Sequence, residues 1–228
     1  MRVIFVRHGD PDYKNDCLTP LGQLQAKAAA QRLKDEGIEK GYSSTNGRAY
    51  ETAEYTARLY GCDVIPCDFM REIGWGAIEG EVLEVSSPWK TARMMPAAGL
   101  SLLDPNFAEK EPFKRNKVVK NALKVNEGLD RWFEELGYKR EGEYYRVINP
   151  SDRTVAMFCH GGSSSAAFAH VFNLPLPFTF GVLKGGHASI LFEIILDGAE
   201  GELVTPLLST VNDCKHTKGI VIEREHEF

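Results

Sequence analysis

The sequence lacks any apolar run long enough to cross a membrane. A transmembrane helix needs about 18 or more consecutive apolar residues, and every apolar run in this chain is much shorter. A secretory signal pattern is also missing, because one basic residue precedes only four apolar ones at the start of the sequence. These absences predict a soluble, cytoplasmic protein with no membrane partner.

An excess of positive charge is missing as well. The chain has 27 Lys and Arg against 32 Asp and Glu, which gives a formal net charge of -5. This balance argues against a surface that coats nucleic acid or an anionic membrane. Any positively charged binding site must therefore be local.

Cysteine is scarce, and its spacing suggests neither disulfides nor a metal site. The five cysteines are an odd number, and none forms a C-x-x-C pair or lies at metal-ligand spacing from a histidine. We expect reduced thiols, as is usual in the cytosol.

The hydrophobic pattern alternates between the periods of strands and helices. Residues 3–6 and 154–159 are apolar runs of the kind found in strands that are covered on both faces. Thr19, followed by proline, predicts the start of one helix, Asn46 is placed to cap a second, and residues 163–172 predict a third. This alternation predicts a three-layer α/β/α fold with a mostly parallel, doubly wound sheet.

One domain is expected over residues 1–228, because this length suits a single core. The segment at about 82–150 interrupts the alternation, and we interpret it as a largely helical insertion that covers the active site. Two further strands are expected at 189–195 and 203–208. The large apolar residues of the insertion could shape a specificity pocket but are more typical of the core; they are Trp89, Met94, Met95, Phe107 and Phe113.

Histidine ends two of the predicted strands, and glycine follows each histidine. His8 comes directly after the first strand, and His160 comes after the strand at 154–159. Ligands of open α/β sheets bind at the carboxyl ends of strands, and glycine lets backbone N–H groups approach a ligand closely. With the guanidinium groups of Arg7 and Arg48 added, this edge of the sheet favours an anion, and phosphate fits best.

Five motifs occur in a fixed order along the chain. They are Arg7-His8-Gly9; Leu18-Thr19 with Gly22 and Gln25-Ala26; Ser43-Ser44 with Arg48-Ala49 and Thr52-Ala53; Glu72 with Gly76, Glu79 and Gly80; and Cys159-His160-Gly161. In this order they resemble the motifs of the histidine phosphatase superfamily, which includes the phosphoglycerate mutases. The resemblance covers most of the predicted core and implies the same catalytic fold.

The resemblance also implies a role for each matching residue. His8 would attack phosphorus and become a phosphohistidine, with Glu72 as the proton donor. No metal or cofactor is implied, since fixed positive groups can neutralise the transferred phosphoryl group. Those groups, which would hold the phosphoryl oxygens, are Arg7, Arg48, His160 and the backbone of Gly161.

Four further residues are weaker candidates or are expected to lie away from the site. Asn15 lies one position beyond the asparagine that many members of the superfamily have after their first histidine. His187 could enter the pocket, although its place before a strand favours a turn. His216 and His226 are expected in a solvated tail.

The residues after Gly9 depart from the pattern of the superfamily. Asp10 and Asp12 stand there, and two carboxylates near the pocket oppose a highly anionic substrate. We therefore expect a metal-independent, histidine acid phosphatase-type enzyme for a small phosphomonoester. A phosphoglycerate mutase-like isomerase and a non-catalytic phosphate-binding module are the alternatives, and a homodimer could form through a strand edge or the inserted helix.

Overall fold

The computed structural model describes residues 1–220 of the chain. Its strands are β1 (Arg2–Arg7), β2 (Pro11–Asp12), β3 (Cys17–Leu18), β4 (Ile38–Ser43), β5 (Val64–Pro66), β6 (Tyr138–Glu141), β7 (Tyr144–Val147), β8 (Thr154–Cys159), β9 (Ile190–Ile195), β10 (Leu203–Val204) and β11 (Leu207–Asp213). Its α-helices are α1 (Pro20–Leu33), α2 (Gly47–Tyr60), α3 (Pro88–Met94), α4 (Val118–Glu135), α5 (Gly161–Val171) and α6 (Leu176–Val182).

Six strands form the central sheet, in the order β11, β9, β1, β8, β4 and β5. β1 runs parallel to β8, β8 to β4, and β4 to β5. Only β9 runs against its neighbours in this sheet, because it pairs antiparallel with both β1 and β11. The sheet is therefore mostly parallel, as the sequence predicts.

Helices cover both faces of this sheet. Val3 and Phe5 of β1 belong to a core cluster that also contains residues of α4 and α5. Ile4 and Val6 point to the other face and pack with residues of α1 and α2. The prediction of a three-layer α/β/α fold is confirmed.

The register between β1 and β8 positions the two histidines. Arg7 lies opposite Cys159 at the end of the pairing, and the backbone N–H of His8 donates to the carbonyl oxygen of Cys159 at 3.0 Å. The two strands thus end side by side, and His8 and His160 follow them at the same edge of the sheet.

A close backbone contact fixes the chain just after His8. A Cβ atom on Gly9 would lie 2.5 Å from the carbonyl oxygen of Gly22 in α1, so only glycine fits there. α1 itself begins as predicted, since Thr19 Oγ1 accepts a hydrogen bond from the N–H of Gly22 at 3.0 Å and proline opens the helix.

The segment at 82–150 contributes a helix to one face of the central sheet. Trp132 of α4 packs edge-on against Phe5, with ring centroids 6.4 Å apart, and against Tyr42 at 5.1 Å, so α4 is a covering helix of the sheet. α3 packs against α6. The description of this segment as an insertion over the active site stays a prediction.

The prediction of a single strand at 203–208 is wrong, because this segment belongs to two strands. The structure divides it into β10, which pairs with β7 in a small three-stranded sheet, and β11, which pairs with β9. Pro206 lies between the two, and proline cannot donate to a sheet ladder. The break therefore sends two short strands to two different sheets.

The structure can be compared with the sequence on two points, disulfide bonds and membrane-spanning helices. All five cysteines lie within residues 1–220 and are free thiols. Over the same residues, no helix combines the length and the apolar character needed to cross a membrane. The cytoplasmic location stays a prediction.

Candidate active site

The buried ring of His8 presents one nitrogen as a lone pair. Its Nδ1 lies 2.7 Å from the carbonyl oxygen of Gly9, and because a carbonyl only accepts, Nδ1 carries the ring proton. Burial lowers the pKa of His8 well below its usual range, and His160 and Arg7 lower this pKa further. The ring is therefore neutral near pH 7, and its Nε2 lone pair is available as a nucleophile.

The ring of His160 lies beside that of His8 and contacts a serine hydroxyl. Its ring centroid lies 5.0 Å from that of His8, and its Nε2 lies 2.8 Å from Ser44 Oγ. Ser44 Oγ also accepts the backbone N–H of Asn46 at 3.1 Å, and its hydroxyl can either donate to Nε2 of His160 or accept from it. Burial, followed by the charge of Arg48, lowers the pKa of His160 well below its usual range.

In the tautomer that carries its proton on Nδ1, the His160 ring has an N–H group to offer a ligand. The Nδ1 atom of His160 is buried and has no hydrogen-bond partner among residues 1–220. A buried donor without a partner costs free energy, so this N–H favours an oxygen acceptor at the site.

Two buried guanidinium groups add further donors. Arg7 donates through Nη1 to the carbonyl oxygen of Gly185 at 2.7 Å. Arg48, only 7% exposed, pairs through Nη1 with Asp16 and lies over the ring of Tyr13 at 5.4 Å. Both Nε–H groups are buried without a partner in the described part of the chain, which again favours an anion.

Asp16 holds Arg48, and the sequence analysis missed it. Asp16 Oδ2 accepts the backbone N–H of Gly47 at 2.9 Å and the side-chain amide of Asn46 at 3.2 Å. Partial burial alone would raise the pKa of Asp16, but the bonds to Gly47, Asn46 and Arg48 lower it overall. The carboxylate therefore stays charged and orients the arginine.

Asn46 is the N-cap residue of α2, as predicted, but its side chain makes no capping hydrogen bond to the helix. The Asn46 Oδ1 atom accepts the backbone N–H of Glu72 at 3.2 Å. One amide thus connects the carboxylate that holds Arg48 with the segment that carries Glu72.

Glu72 is placed at the start of α5 by backbone N–H groups. Its Oε1 accepts from Ile73 at 3.0 Å, from Gly162 at 3.0 Å and from Ser163 at 3.2 Å. Gly162 is required here, since a Cβ atom on it would lie 2.5 Å from Glu72 Oε1. Burial raises the pKa of Glu72, although Arg7 and these N–H groups oppose the rise.

A raised pKa means that Glu72 holds a proton to higher pH than an ordinary glutamate does. Because three N–H groups occupy Oε1, the proton belongs on Oε2. A protonated carboxyl beside a neutral imidazole and two guanidinium groups is suited to donate to a leaving oxygen.

The structure therefore brings together, at one edge of the sheet, the main site residues that the sequence predicted. The rings of His8 and His160 are adjacent, Arg7 acts on the ionisation of both histidines and of Glu72, and Gly161 opens α5. The positive N-terminal end of α5 adds to the field that attracts an anion.

Residues 185–189 form a wall of this site. The N–H of Ala188 donates to the carbonyl oxygen of His8 at 2.9 Å, and Nε2 of His216 lies 2.8 Å from the carbonyl oxygen of Ala188. Arg7 also bonds this segment, through both its backbone and its side chain. The prediction of a solvated tail is wrong for His216, and His226 lies outside the described residues.

His187 lies in a turn, as predicted, and its ring also reaches the site. Its ring stacks on that of His8, with centroids 5.7 Å apart and an interplanar angle of 28°. Its Nδ1 is 3.5 Å from Asp10 Oδ1. Asp10 is buried, and its Oδ2 accepts the hydroxyl of Thr19 at 2.7 Å.

Asn15 does not join these buried side chains. It is exposed and closes a turn with Asp12, whose Oδ2 accepts its amide at 2.7 Å. The backbone N–H groups of Lys14 and Asn15 bond to the other oxygen of Asp12. The carboxylate of Asp12 is therefore used within its own loop.

A cavity of about 300 Å³ opens beside Arg7, Glu72 and Gly161. A wider groove of about 780 Å³ runs along α4 and shares Glu72 with it, but none of the arginines and histidines described above lines that groove. The smaller cavity is therefore the one that adjoins Arg7 and Glu72 of the buried site.

A comparison with protein families supports the resemblance that was inferred from the five motifs. Residues 3–99 match the family model described as histidine phosphatase superfamily (branch 1). A probable phosphoglycerate mutase of Photorhabdus laumondii subsp. laumondii is 34% identical over 88 residues, which are 35% of this chain and 41% of that protein. The chain thus matches less than half of the length of this curated relative.

Comparison with solved structures extends the likeness to almost the whole chain. A mycobacterial glucosyl-3-phosphoglycerate phosphatase has a TM-score of 0.61 and 24% identity, covering 92% of this chain and 98% of its own. A phosphoserine phosphatase from Entamoeba histolytica, in complex with 3-phosphoglyceric acid, has a TM-score of 0.62 and 19% identity, covering 94% and 98%. At these identities the likeness shows a shared fold.

The resemblance to the histidine phosphatase superfamily predicted from the motifs is therefore confirmed, by the family match over residues 3–99 and by a fold shared over nearly the whole chain.

Proposed function

We propose that the protein is a phosphatase that hydrolyses a small phosphomonoester through a phosphohistidine on His8, without a metal ion. One observation carries this proposal. His8 is a buried, neutral imidazole whose Nδ1 is held by the carbonyl oxygen of Gly9, which leaves Nε2 as the reacting atom beside two guanidinium groups.

The first step forms the bond between Nε2 of His8 and phosphorus. As the bond to the leaving oxygen breaks, negative charge spreads over the three equatorial phosphoryl oxygens. The Nε–H groups of Arg7 and Arg48 and the Nδ1–H of His160 stabilise this charge. The proton on Glu72 passes to the leaving oxygen, so that a neutral alcohol departs.

The second step is hydrolysis of the phosphohistidine. Glu72, now a carboxylate, takes a proton from a water molecule, and the water oxygen attacks phosphorus. The bond between phosphorus and Nε2 breaks, inorganic phosphate leaves, and Glu72 is again protonated. Each residue returns to its starting state.

His187 has a supporting role in this proposal. Its ring lies against His8, and Asp10 faces its Nδ1. The other charged or titratable groups around it are Arg7, which binds the same loop, Lys184 in that loop, and His216, which holds Ala188. We assign His187 to positioning the His8 ring, and Asp10 to holding His187.

The test is detection of the covalent intermediate. Wild type quenched during turnover of an aryl phosphate should carry a phosphoryl group on His8 that is stable in base and labile in acid. His8→Ala should lack both the adduct and turnover, while His170→Asn, which breaks a His–Asp pair between α5 and α4, should keep both. Excess EDTA should leave the wild-type rate unchanged. Turnover without an adduct on His8 would refute the mechanism.

A phosphoglycerate mutase-like reaction is the second candidate, because the curated relative in the matched region is a probable phosphoglycerate mutase. Both reactions share the phosphohistidine and differ in its fate. Wild type supplied with 3-phosphoglycerate should release inorganic phosphate faster than it forms the 2-isomer. Faster isomerisation would replace the phosphatase proposal with the mutase.

A further inference from the structure

The cavity beside Glu72 has a polar end and an aromatic end. Arg7, Glu72 and Gly161 form the polar end, where the phosphoryl group belongs under the proposed mechanism. The remainder of the cavity must then receive the alcohol part of the substrate. The chemistry of that remainder indicates which alcohol fits.

Three aromatic rings line this remainder in a connected row. The rings of Trp75 and Trp89 lie 5.0 Å apart at 90°, and the rings of Trp89 and Phe180 lie 5.0 Å apart at 77°. Trp89 also reaches the polar end, since a Cβ atom on Gly161 would lie 3.7 Å from its ring. Ring surface therefore begins where the phosphoryl site ends.

Apolar side chains continue this surface, and two of the three serines of the lining donate within α5, while Tyr13, Arg93, Lys184 and Asn212 add polar groups to it. Leu183, Leu191 and Phe192 complete the apolar part. The hydroxyls of Ser164 and Ser165 donate to the carbonyl oxygen of Gly161 at 3.1 Å and 2.8 Å. Since these hydroxyl hydrogens are used within α5, they do not select a hydroxyl-rich substrate.

The aromatic rings of the cavity differ in their exposure to solvent, and the exposed one is available to a ligand. Phe180 is 1% exposed, whereas Trp75 is 36% exposed. An exposed indole next to a buried ring gains when a flat group covers it, because apolar area leaves water and rings attract each other edge to face or offset.

We infer that the alcohol part of the substrate carries an aromatic ring, so that the substrates are phosphomonoesters of ring-bearing alcohols and not small acyclic phosphoacids. This inference rests on the proposed function. The size of the cavity agrees, because about 300 Å³ lies at the lower limit of small-molecule sites and suits one ring system.

The first experiment compares two esters whose leaving alcohols are similarly acidic. Wild type should have a kcat/KM at least about tenfold higher for 2-phenylethyl phosphate than for propyl phosphate, a ratio in line with the worth of aromatic contacts and apolar burial. Trp89→Leu should lower kcat/KM far more for 2-phenylethyl phosphate than for propyl phosphate, so that this ratio falls to near one. An equal loss on both esters would mean that Trp89 only supports the fold, and would overturn the inference.

Met94 provides the matched control. It belongs to α3, as Trp89 does, and is 51% exposed, and it does not line the cavity. Met94→Ala should keep the wild-type preference for the ring. A higher kcat/KM for 3-phosphoglycerate or a sugar phosphate than for 2-phenylethyl phosphate would also overturn the inference.

A binding measurement separates this inference from the proposed function. In His8→Ala, which cannot form the phosphohistidine, 2-phenylethyl phosphate should bind at least about tenfold more tightly than inorganic phosphate and should change the tryptophan fluorescence. This preference can hold even if the wild type hydrolyses neither ester, in which case the phosphatase proposal fails and the ring site stands. Equal affinities for the two ligands would remove the ring site whatever the wild type hydrolyses.

Discussion

His8 and His160 occupy matching places at the ends of two adjacent parallel strands, and glycine follows both. Their surroundings differ. A carbonyl oxygen binds the protonated Nδ1 of His8 and leaves a lone pair on Nε2, whereas a serine hydroxyl binds Nε2 of His160 and leaves its buried Nδ1 for a ligand. In the proposed mechanism, the hydrogen-bond partner of each ring, and not the motif around it, separates the nucleophile from the donor.

Asparagine at each position should separate these two functions most strongly. The amide of asparagine can donate a hydrogen bond but cannot form the phosphoryl intermediate, so His8→Asn should lose more than about 10⁴-fold in kcat. His160→Asn keeps a donor and should lose about tenfold, while His160→Ala should lose about 10²- to 10³-fold, the usual cost of one transition-state donor. Equal losses for His8→Asn and His160→Asn would contradict the division of roles.

Glu72→Gln tests the group that serves both steps. Glutamine can still accept the three N–H groups at Oε1 but cannot transfer a proton, so kcat for an alkyl phosphate should fall by about 10²-fold or more. An activated aryl phosphate, whose leaving group needs less help, should lose less in the first, single-turnover step.

The pH dependence of the rate, in wild type and in the same variant, shows in which protonation state Glu72 acts. Because burial raises the pKa of Glu72, the proton donor is present at low pH and is lost as the pH rises through that raised value. The single-turnover rate of phosphohistidine formation from an alkyl phosphate should therefore fall with rising pH in the wild type, and this limb should be missing in Glu72→Gln. A wild-type rate that rises with pH over this range would show that Glu72 is not the acid.

Ser44→Ala should weaken the distinction between the two histidines without removing either ring. With the hydroxyl absent, the proton of His160 is free to move between Nδ1 and Nε2, and kcat should fall by about tenfold. Ser43→Ala is the control, because this neighbouring buried serine donates to the backbone of Ser44 and not to a histidine. Similar losses in both variants would indicate a packing effect.

His187→Asn should give the smallest change. If His187 positions the His8 ring, its replacement should lower kcat by about threefold to fivefold, leave KM nearly unchanged and slow formation of the phosphohistidine. His170→Asn, which breaks a His–Asp pair away from the site, should leave the rate of adduct formation unchanged. An altered KM with an unchanged rate of adduct formation would place His187 in substrate binding instead.

The local sequence was sufficient to predict where the strands end. It was not sufficient to predict which side chains from elsewhere in the chain contact those ends. The apolar runs predicted β1 and β8, and two parallel neighbours must end at the same edge, so His8 and His160 could be brought together in advance. His187 could not be placed this way, because its position depends on β9 pairing antiparallel with β1 and on the bond from Ala188 to His8.

The partners of Asp16 and Asp12 could not be predicted from the local sequence either. Asp16 lies 32 residues before its partner Arg48, and no periodic pattern connects positions at that separation. Asp12 was expected to oppose an anionic substrate, but it binds Asn15 in its own loop. The backbone pattern is local, whereas the partner of a carboxylate is decided by the assembled fold.

The amide of Asn46 has a consequence for substitutions in this site. Its nitrogen bonds Asp16, which holds Arg48, and its oxygen accepts the N–H of Glu72. Neither bond survives rotation of the amide by half a turn, so the two ends of this side chain are constrained together. Any substitution at position 46 therefore disturbs Arg48 and Glu72 together, the two side chains to which the proposed mechanism gives phosphate binding and proton donation.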